Sequence, residues 1–309
     1  MTAIRLPASR RNAPGAIQDS RADKIFTRLN YLFLTVILIL ILYPLVYTVS
    51  ASFSAPSAVV SGKVTLFPVD FTLIGYQKIF EYPTLVRGML NSIFYAVVGS
   101  SVSVVITLLA AYPLSRKDLP GRRFLTIFFF FPMLFSGGLI PFYLVVRDVG
   151  LTNTPWALII PTALSVWNLI ITISFLRASV PDELYEAAQI DGCSDIGFLI
   201  QIVLPLAKAL LAVLFLVYAV AQWNQYFLSL VLQTNPDLAP LQIVLRNILI
   251  LNDVDLGMMA DVRSLAEQQA LQEQLKFSSI VVASVPVLLL YPFVQKYFVQ
   301  GLTIGAIKG

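Results

Sequence analysis

The sequence predicts an all-α integral membrane protein with six transmembrane helices and both termini on the cytoplasmic side. Three observations carry this. The 309-residue chain is 58% hydrophobic and 12% charged with mean hydropathy +0.81, whereas a soluble domain is roughly half apolar and a quarter charged. Windows without a charged residue run from Arg28 to Lys63, Arg87 to Arg116, Arg123 to Arg147, Asp148 to Arg177, Lys208 to Asp237 and Lys276 to Lys296, each near or above the roughly 20 apolar residues that cross a bilayer. With the N-terminus inside, most of the 21 Lys and Arg residues fall on the cytoplasmic side, in the N-tail, the 116–123 loop, the flanks of the 177–208 loop and the C-terminal end. The positive-inside rule therefore puts both termini in the cytoplasm. The net charge of +4 is a sidedness signal and not a nucleic-acid footprint.

Residues 1–30 form a polar cytoplasmic N-tail with Arg5, Arg10, Arg11, Arg21, Lys24 and Arg28 against Asp19 and Asp23. The apolar run that follows is too long for a signal peptide and lacks a clean small-residue cleavage site, so the segment is expected to be retained. The first span covers Tyr31 to Ser52, and the last extends past Lys296 through Tyr297 and Phe298, because lysine snorkels at an interface. A membrane domain over 31–299 and a cytoplasmic C-tail over 300–309 result. Pro44, Pro113, Pro132, Pro141, Pro161, Pro286 and Pro292 lie in or beside spans, where neighbouring helices satisfy freed backbone groups. They fit kinks around a pathway and ordinary membrane-helix prolines equally. Gly137-Gly138, after Phe135-Ser136 and before Pro141, reads either as a break near the outer end of the third span or as close helix packing. Two external segments stand out, 53–87 and 233–276. The second carries Asp237, Asp253, Asp255, Asp261, Glu267 and Glu273 against Arg246, Arg263 and Lys276, with a helical pattern from Ser264 to Gln274. It fits a docking surface for an extracytoplasmic binding protein or a solvated connector.

Histidine is absent and Cys193 is the single cysteine. An intramolecular disulfide, a histidine general base and a Cys/His zinc site are thereby excluded, and no metal site or enzymatic activity is expected. No GxxxxGK[ST] occurs; Gly62-Lys63 lacks both the upstream glycine and the following hydroxyl residue, so the chain has no P-loop for ATP.

Residues 181–205 are the only long polar interruption between two strongly apolar spans. Ser179 with Asp182 resembles a capping box, Leu184, Ala187 and Ala188 share one helical face, and Gly192 suits a helix C-cap. A second short helix is expected from Ser194 and Asp195 through Ile196, Leu199, Ile200 and Ile202, ending or kinking before Pro205. Glu186-Ala187-Ala188, three residues, Gly192, nine residues, Ile202, one residue, Leu204-Pro205 resembles the EAA motif of bacterial ABC-importer permeases with every signature position filled. The resemblance implies a cytoplasmic loop that docks into a cleft of an ATP-hydrolysing subunit through Glu186, Ala187, Ala188 and Gly192. The residue types suit that role: small alanines admit a close partner surface, glycine permits the turn, and Glu186 offers a carboxylate.

The wider chain from Tyr31 to Gly309 is similar to the shorter permease subunit of carbohydrate-uptake importers of the maltose type. Phe135-Ser-Gly-Gly-Leu-Ile-Pro-Phe-Tyr143, Asn91-Ser92, Leu151-Thr-Asn-Thr154 and Ile304-Gly-Ala-Ile-Lys-Gly309 carry that narrower likeness, within a branch that includes alginate-oligosaccharide permeases. It implies a type I ABC importer permease fold in the bacterial cytoplasmic (inner) membrane and translocation of an oligosaccharide, alginate or another uronate-containing glycan, by alternating access. The implied partners are a second homologous permease, two copies of a P-loop ATPase that holds ATP and Mg, and an extracytoplasmic solute-binding protein. The charge-free windows contain no lysine or arginine to bind a uronate carboxylate.

Polar side chains in a bilayer core are costly and usually face a bundle interior or cavity. Those are Asn91, Tyr95 and Tyr112 on the second span, Asn168 beside Trp167 on the fourth, and Tyr218, Gln222, Trp223, Asn224, Gln225 and Tyr226 on the fifth. Aromatic faces beside amides suit a pyranose; interfacial anchoring and interhelical hydrogen bonding are the other reading. An ion-coupled secondary transporter is the alternative function, against which stand the lack of an embedded carboxylate or histidine relay and the small number of spans. Residues 301–309 are expected to be a short extended tail touching the ATPase.

Overall fold

The computed structural model describes residues 20–249 and 265–306, and every regular element among them is helical. The first helix, α1 (Arg21–Ser52), starts at Arg21 and not at Tyr31 because Ser20 and Asp23 form a reciprocal capping box, with bonds of 3.1 and 3.0 Å. Only Ser50, Ala51 and Ser52 of this helix are buried. An apolar stretch of 18 residues with none of it buried, in a helix of 32 residues, is stable in an apolar medium and not in water.

The external segment folds back on the end of α1. Helix α2 (Pro56–Val60) contributes Ala58 and Val59 to a small core with Ala51 and Val64, against Phe277. Ser50 donates to the Leu66 carbonyl at 2.7 Å, and the Val69 N–H donates to Ser54 at 3.0 Å. Helix α3 (Ile74–Glu81) leads into α4 (Pro83–Ser115), a second membrane-length helix that carries a π-turn over Tyr95–Gly99.

The next three charge-free windows are not single helices. The third is α5 (Arg122–Leu134) and α6 (Leu139–Asp148), separated at Phe135 to Gly138. Gly138 has φ +81°, and a Cβ on either glycine would meet nothing within 4 Å, so the pair is a break and not a packing contact. The fourth is a short α7 (Trp156–Ile159) and α8 (Val166–Ser179), with Pro161 between them. After α9 (Asp182–Ile190) and α10 (Asp195–Leu206), the fifth is α11 (Lys208–Trp223), a turn, and α12 (Phe227–Leu232). A 3-10 turn (Pro236–Leu238), α13 (Leu241–Leu249) and the 42-residue α14 (Leu265–Ala306) complete the described chain. Among the described residues, α1 and α4 are long and apolar enough to cross a membrane, and the α10–α11 pair, bent by 81°, makes a third if counted as one span. A charge-free window reports polarity; glycine and proline decide helical continuity.

Residues 301–306 continue α14 as helix and are not an extended tail. Arg5, Arg10, Arg11 and Asp19 of the N-tail, Asp253, Asp255, Asp261, Arg263 and Ser264 of the external segment, and residues 307–309 lie outside the described residues.

Helix α4 packs on α8 through Leu108, Ala111 and Leu114 against Leu169, Ile173 and Leu176, spacings that make one apolar stripe on each helix. At its other end α4 gathers residues 233–241. Arg87 pairs with Asp237, and the Asn91 amide donates to the Asp237 and Ala239 carbonyls at 2.8 and 3.0 Å. Ser92 accepts from Leu241 N–H at 2.8 Å. Tyr95, 1% exposed, donates to the Leu238 carbonyl at 2.9 Å and accepts from Gln233 at 3.0 Å. Asn153, at φ +58°, accepts from Thr234 and Asn235 N–H groups at 2.6 and 3.3 Å.

Tyr95→Phe removes a buried donor and acceptor, a loss of about 1–3 kcal/mol. The thermal unfolding midpoint in detergent should fall by several degrees, while Tyr226→Phe, at an exposed ring, leaves it unchanged. An unaltered midpoint in Tyr95→Phe would show that this hydroxyl does not hold the outer loops.

Candidate functional site

Helix α9 begins at Asp182, and Pro181 at the N-cap makes no side-chain hydrogen bond. The capping box expected from Ser179 and Asp182 does not form. Ser179 is instead the last residue of α8, and the Asp182 carboxylate turns to Lys117 at 2.7 Å. That pair lowers the Asp182 pKa and raises that of Lys117, through the hydrogen bond first.

The buried face of α9 is Tyr185 and Ala188, whereas Glu186, Ala187, Leu184 and Ile190 are exposed. The expected Leu184, Ala187 and Ala188 face is thus divided: Ala188 packs on the bundle and its neighbours point out. Tyr185 fixes this rotation. The Arg116 guanidinium lies 3.4 Å from its ring centroid, and Phe198 meets it edge-on at 5.1 Å. Its hydroxyl donates to the Asp195 carboxylate at 2.5 Å and accepts from Gln189 at 2.8 Å. The bond to Asp195, then burial, pushes the phenol pKa up, so the ring stays neutral beneath the cation.

Gly192 ends α9 at φ +77°, letting Cys193 N–H reach the Ala188 carbonyl at 2.9 Å and Gly192 N–H reach Gln189 at 3.0 Å. This is the left-handed C-cap that glycine alone adopts without strain. Ser194 then caps α10, accepting from Gly197 N–H at 3.1 Å. Ala187, Ala188, Gly192 and Ile202 line one cleft between α9 and α10 of about 600 Å³, open to solvent.

Helix α10 runs through Pro205 and does not end before it. The π-turn over Leu199–Val203 immediately precedes the proline, and the helix breaks at Ala207 with the 81° bend. Proline lacks an N–H and clashes with the carbonyl four residues back, so a widened turn and an elbow form there. Ile202 and Leu204 pack partly buried beside Val203 and Ala207. The signature positions thus shape a cleft, a turn and an elbow, while the anchoring set of Arg116, Tyr185, Gln189 and Asp195 escaped sequence reasoning. Its only traces were Arg116 in the basic 116–123 loop and Asp195 at the start of the second short helix.

The candidate pathway residues separate into two groups. Asn91 and Tyr95 tie the outer loops. Tyr218, 4% exposed, shares a 2.7 Å bond with Thr107 and accepts from Ser165 N–H; Gln222 donates to Thr162 at 3.0 Å; Trp223 donates to the Ala283 carbonyl at 3.2 Å. Asn168 is buried at the start of α8, and Tyr112 reaches the Asp195 carbonyl at 3.4 Å. Asn224 and Tyr226 are exposed in the turn between α11 and α12, Gln225 is half-buried with its carbonyl oxygen unpartnered, and Trp167 is exposed.

Residues 103–304 match the family described as "Binding-protein-dependent transport system inner membrane component". The chain is 41% identical over 288 residues to the polygalacturonan/rhamnogalacturonan transport system permease protein YtcP of Bacillus subtilis (strain 168), covering 93% of this chain and 99% of the relative. It is 39% identical to protein LplC of the same organism, covering 95% and 98%. Its fold matches a chain in the crystal structure of a bacterial ABC transporter involved in the import of the acidic polysaccharide alginate, with TM-score 0.84, 32% identity, and coverage of 91% and 99%. With the 186–205 signature folded into an exposed cleft and the similarity running nearly end to end, the chain belongs to the family of binding-protein-dependent transport system inner membrane components.

Proposed function

We propose that this chain is the permease subunit through which an ABC importer takes up an acidic, uronate-containing oligosaccharide across the bacterial cytoplasmic membrane. The observation that carries the reading is the α9–α10 cleft. Its anchored side grips the bundle, while Glu186, Ala187 and the Gly192 turn stand clear for a partner. The partner is an ATPase subunit, in two copies, that supplies ATP and Mg; a second permease and an extracytoplasmic binding protein complete the assembly. The substrate class rests on the names of the relatives, one from a polygalacturonan/rhamnogalacturonan transport system and one from a transporter involved in the import of the acidic polysaccharide alginate. Family membership leaves the ion-coupled alternative without support.

Six spans with both termini inside is the topology we favour. Helices α1 and α4 each make one; the broken pairs α5–α6 and α7–α8, helix α11 and the latter part of α14 make four more. The loops at 116–122 and 177–208 meet at one end of α4, and those at 53–87, 149–155 and 233–241 meet at the other, in keeping with the lysine and arginine count. In alternating access, nucleotide closes the ATPase pair and loaded binding protein favours the outward-open bundle, each by binding one state better. Asn224, Gln225 and Tyr226, at a helix break where Asn224 and Tyr226 are exposed and the Gln225 carbonyl oxygen is unpartnered, are the residues we place on the sugar path; Tyr95, Tyr218, Gln222 and Trp223 serve as its struts.

Gly192→Val forces a β-branched residue to φ +77°, where the strain of about 1–2 kcal/mol corresponds to roughly tenfold in an equilibrium. Uptake in vesicles should fall about tenfold or more with membrane insertion unchanged, as should uptake by Glu186→Ala with Ala187→Asp. Normal uptake in both would remove the coupling role of the loop.

A mild-detergent pull-down should recover a P-loop ATPase, a second permease and a solute-binding protein. Calorimetric titration of that binding protein should then show binding of oligogalacturonate or oligoalginate in preference to a neutral maltooligosaccharide. Preference for the neutral sugar would overturn the substrate class while leaving the importer intact.

A further inference from the structure

A second cavity, of about 460 Å³, opens at the end of the bundle that carries the coupling loop, between the end of α4, the start of α5, the end of α8 and the first turn of α9. Arg116, Lys117, Arg122 and Arg177 line it, against Asp182 and Glu183. Two of the cations are spoken for. Arg116 is held by Asp118 at 3.2 Å and by the Tyr185 ring, and Lys117 by Asp182 at 2.7 Å.

Arg122 and Arg177 have no carboxylate partner among the described residues. Each spends one N–H on a backbone carbonyl at the end of α4: Arg122 on Arg116 at 3.1 Å, Arg177 on Leu114 at 3.0 Å. A guanidinium carries five N–H donors. The negative end of the α4 dipole therefore fixes two neighbouring guanidiniums in place and leaves most of their donors unused. Glu183, exposed at the rim, is the one remaining lining carboxylate to offset them.

We infer that this cavity is a binding site for a phosphate group, gripped by the paired forks of Arg122 and Arg177. Planar guanidinium forks match the oxygens of a phosphate, and two of them lining one cavity offer the bidentate contacts that a single surface lysine lacks. The cavity lies at the membrane interface on the cytoplasmic side, where anionic phospholipid headgroups concentrate and basic pockets between helices take them. An occupant would bridge α4, α5, α8 and the start of α9, stiffening the mount on which the coupling helix sits. The inference takes its sidedness from the importer reading; its chemistry stands on the arginine pair alone.

The test uses the chain purified with its co-purifying subunits, in nanodiscs of phosphatidylcholine with or without phosphatidylglycerol, and reads retained lipid by native mass spectrometry. Phosphatidylglycerol should be retained by the native protein and lost at lower concentration of salt from Arg122→Gln with Arg177→Gln, with affinity down about tenfold or more. Arg122→Lys with Arg177→Lys, which keeps charge and loses the fork, should fall between. Displacement of the lipid by inorganic phosphate would show that a soluble phosphate reaches the same site and supports the phosphate chemistry. Equal retention by native and double-glutamine proteins would overturn the proposal. So would loss of the ATPase subunit from the double-glutamine protein with lipid retention unchanged, since the arginines would then be a subunit contact. Lipid retention is read without transport, so failure here and failure of the importer reading remain distinguishable.

Discussion

Tyr185 is held at one ring face, at its edge and at its hydroxyl, and the exposed surface of α9 depends on it. A helix of nine residues is too short to be stable alone in water, yet α9 has to present Glu186 and Ala187 in a fixed orientation to be of use. Arg116 covers one ring face, Phe198 meets the ring edge-on, and Asp195 and Gln189 take the hydroxyl. The bond to a carboxylate is the strongest class of contact present. It also joins α9 to α10 across the Gly192 turn, so the two helices form one rigid corner. Arg116 extends that corner to the end of α4.

Helix α4 is consequently the common strut of the molecule. Its first turns hold residues 237–241 through Arg87, Asn91, Ser92 and Tyr95, and its C-terminal end holds the 177–208 loop through Leu114 and the capping Arg116. With 33 residues at about 1.5 Å each it spans on the order of 50 Å. The α4–α8 stripe makes the inner half of this strut a packed unit. Displacement of α9 therefore moves α4 and α8 together, because close-packed interiors shift as bodies and do not deform smoothly. The break at residues 224–226 follows α11, which Tyr218 ties to the same unit through Thr107 and the Ser165 N–H.

The sequence was most informative where one residue type has one physical use. Gly192 announces a left-handed C-cap and Pro205 a disturbed helix; both appear, though the π-turn comes before Pro205 and the helix breaks two residues after it. It was least informative where a side chain has several partners to choose from. Ser179-Asp182 and Ser20-Asp23 have the same spacing, but only the second caps a helix, because Asp182 finds Lys117 from a different loop. Asn91 and Tyr95 read as pathway residues because polar groups in a span demand a partner. The partners were backbone carbonyls of residues 237–239, far away in sequence and invisible to local pattern.

The charge arrangement sets a condition on any acidic cargo. Lysine and arginine are confined to the ends of the apolar segments, and a translocation route has to release what it receives. A buried cation facing a uronate carboxylate in a water-poor channel would form a charge-assisted bond that strengthens as the local dielectric falls, and that bond would hold the sugar in transit. Amides and tyrosines at a helix break offer instead neutral hydrogen bonds worth about 1 kcal/mol net each, enough to replace hydration without trapping the ligand. Tight selection of acidic sugars then belongs to a component that binds and lets go under the control of another event. That division of labour suits the dependence of this family on a separate binding protein.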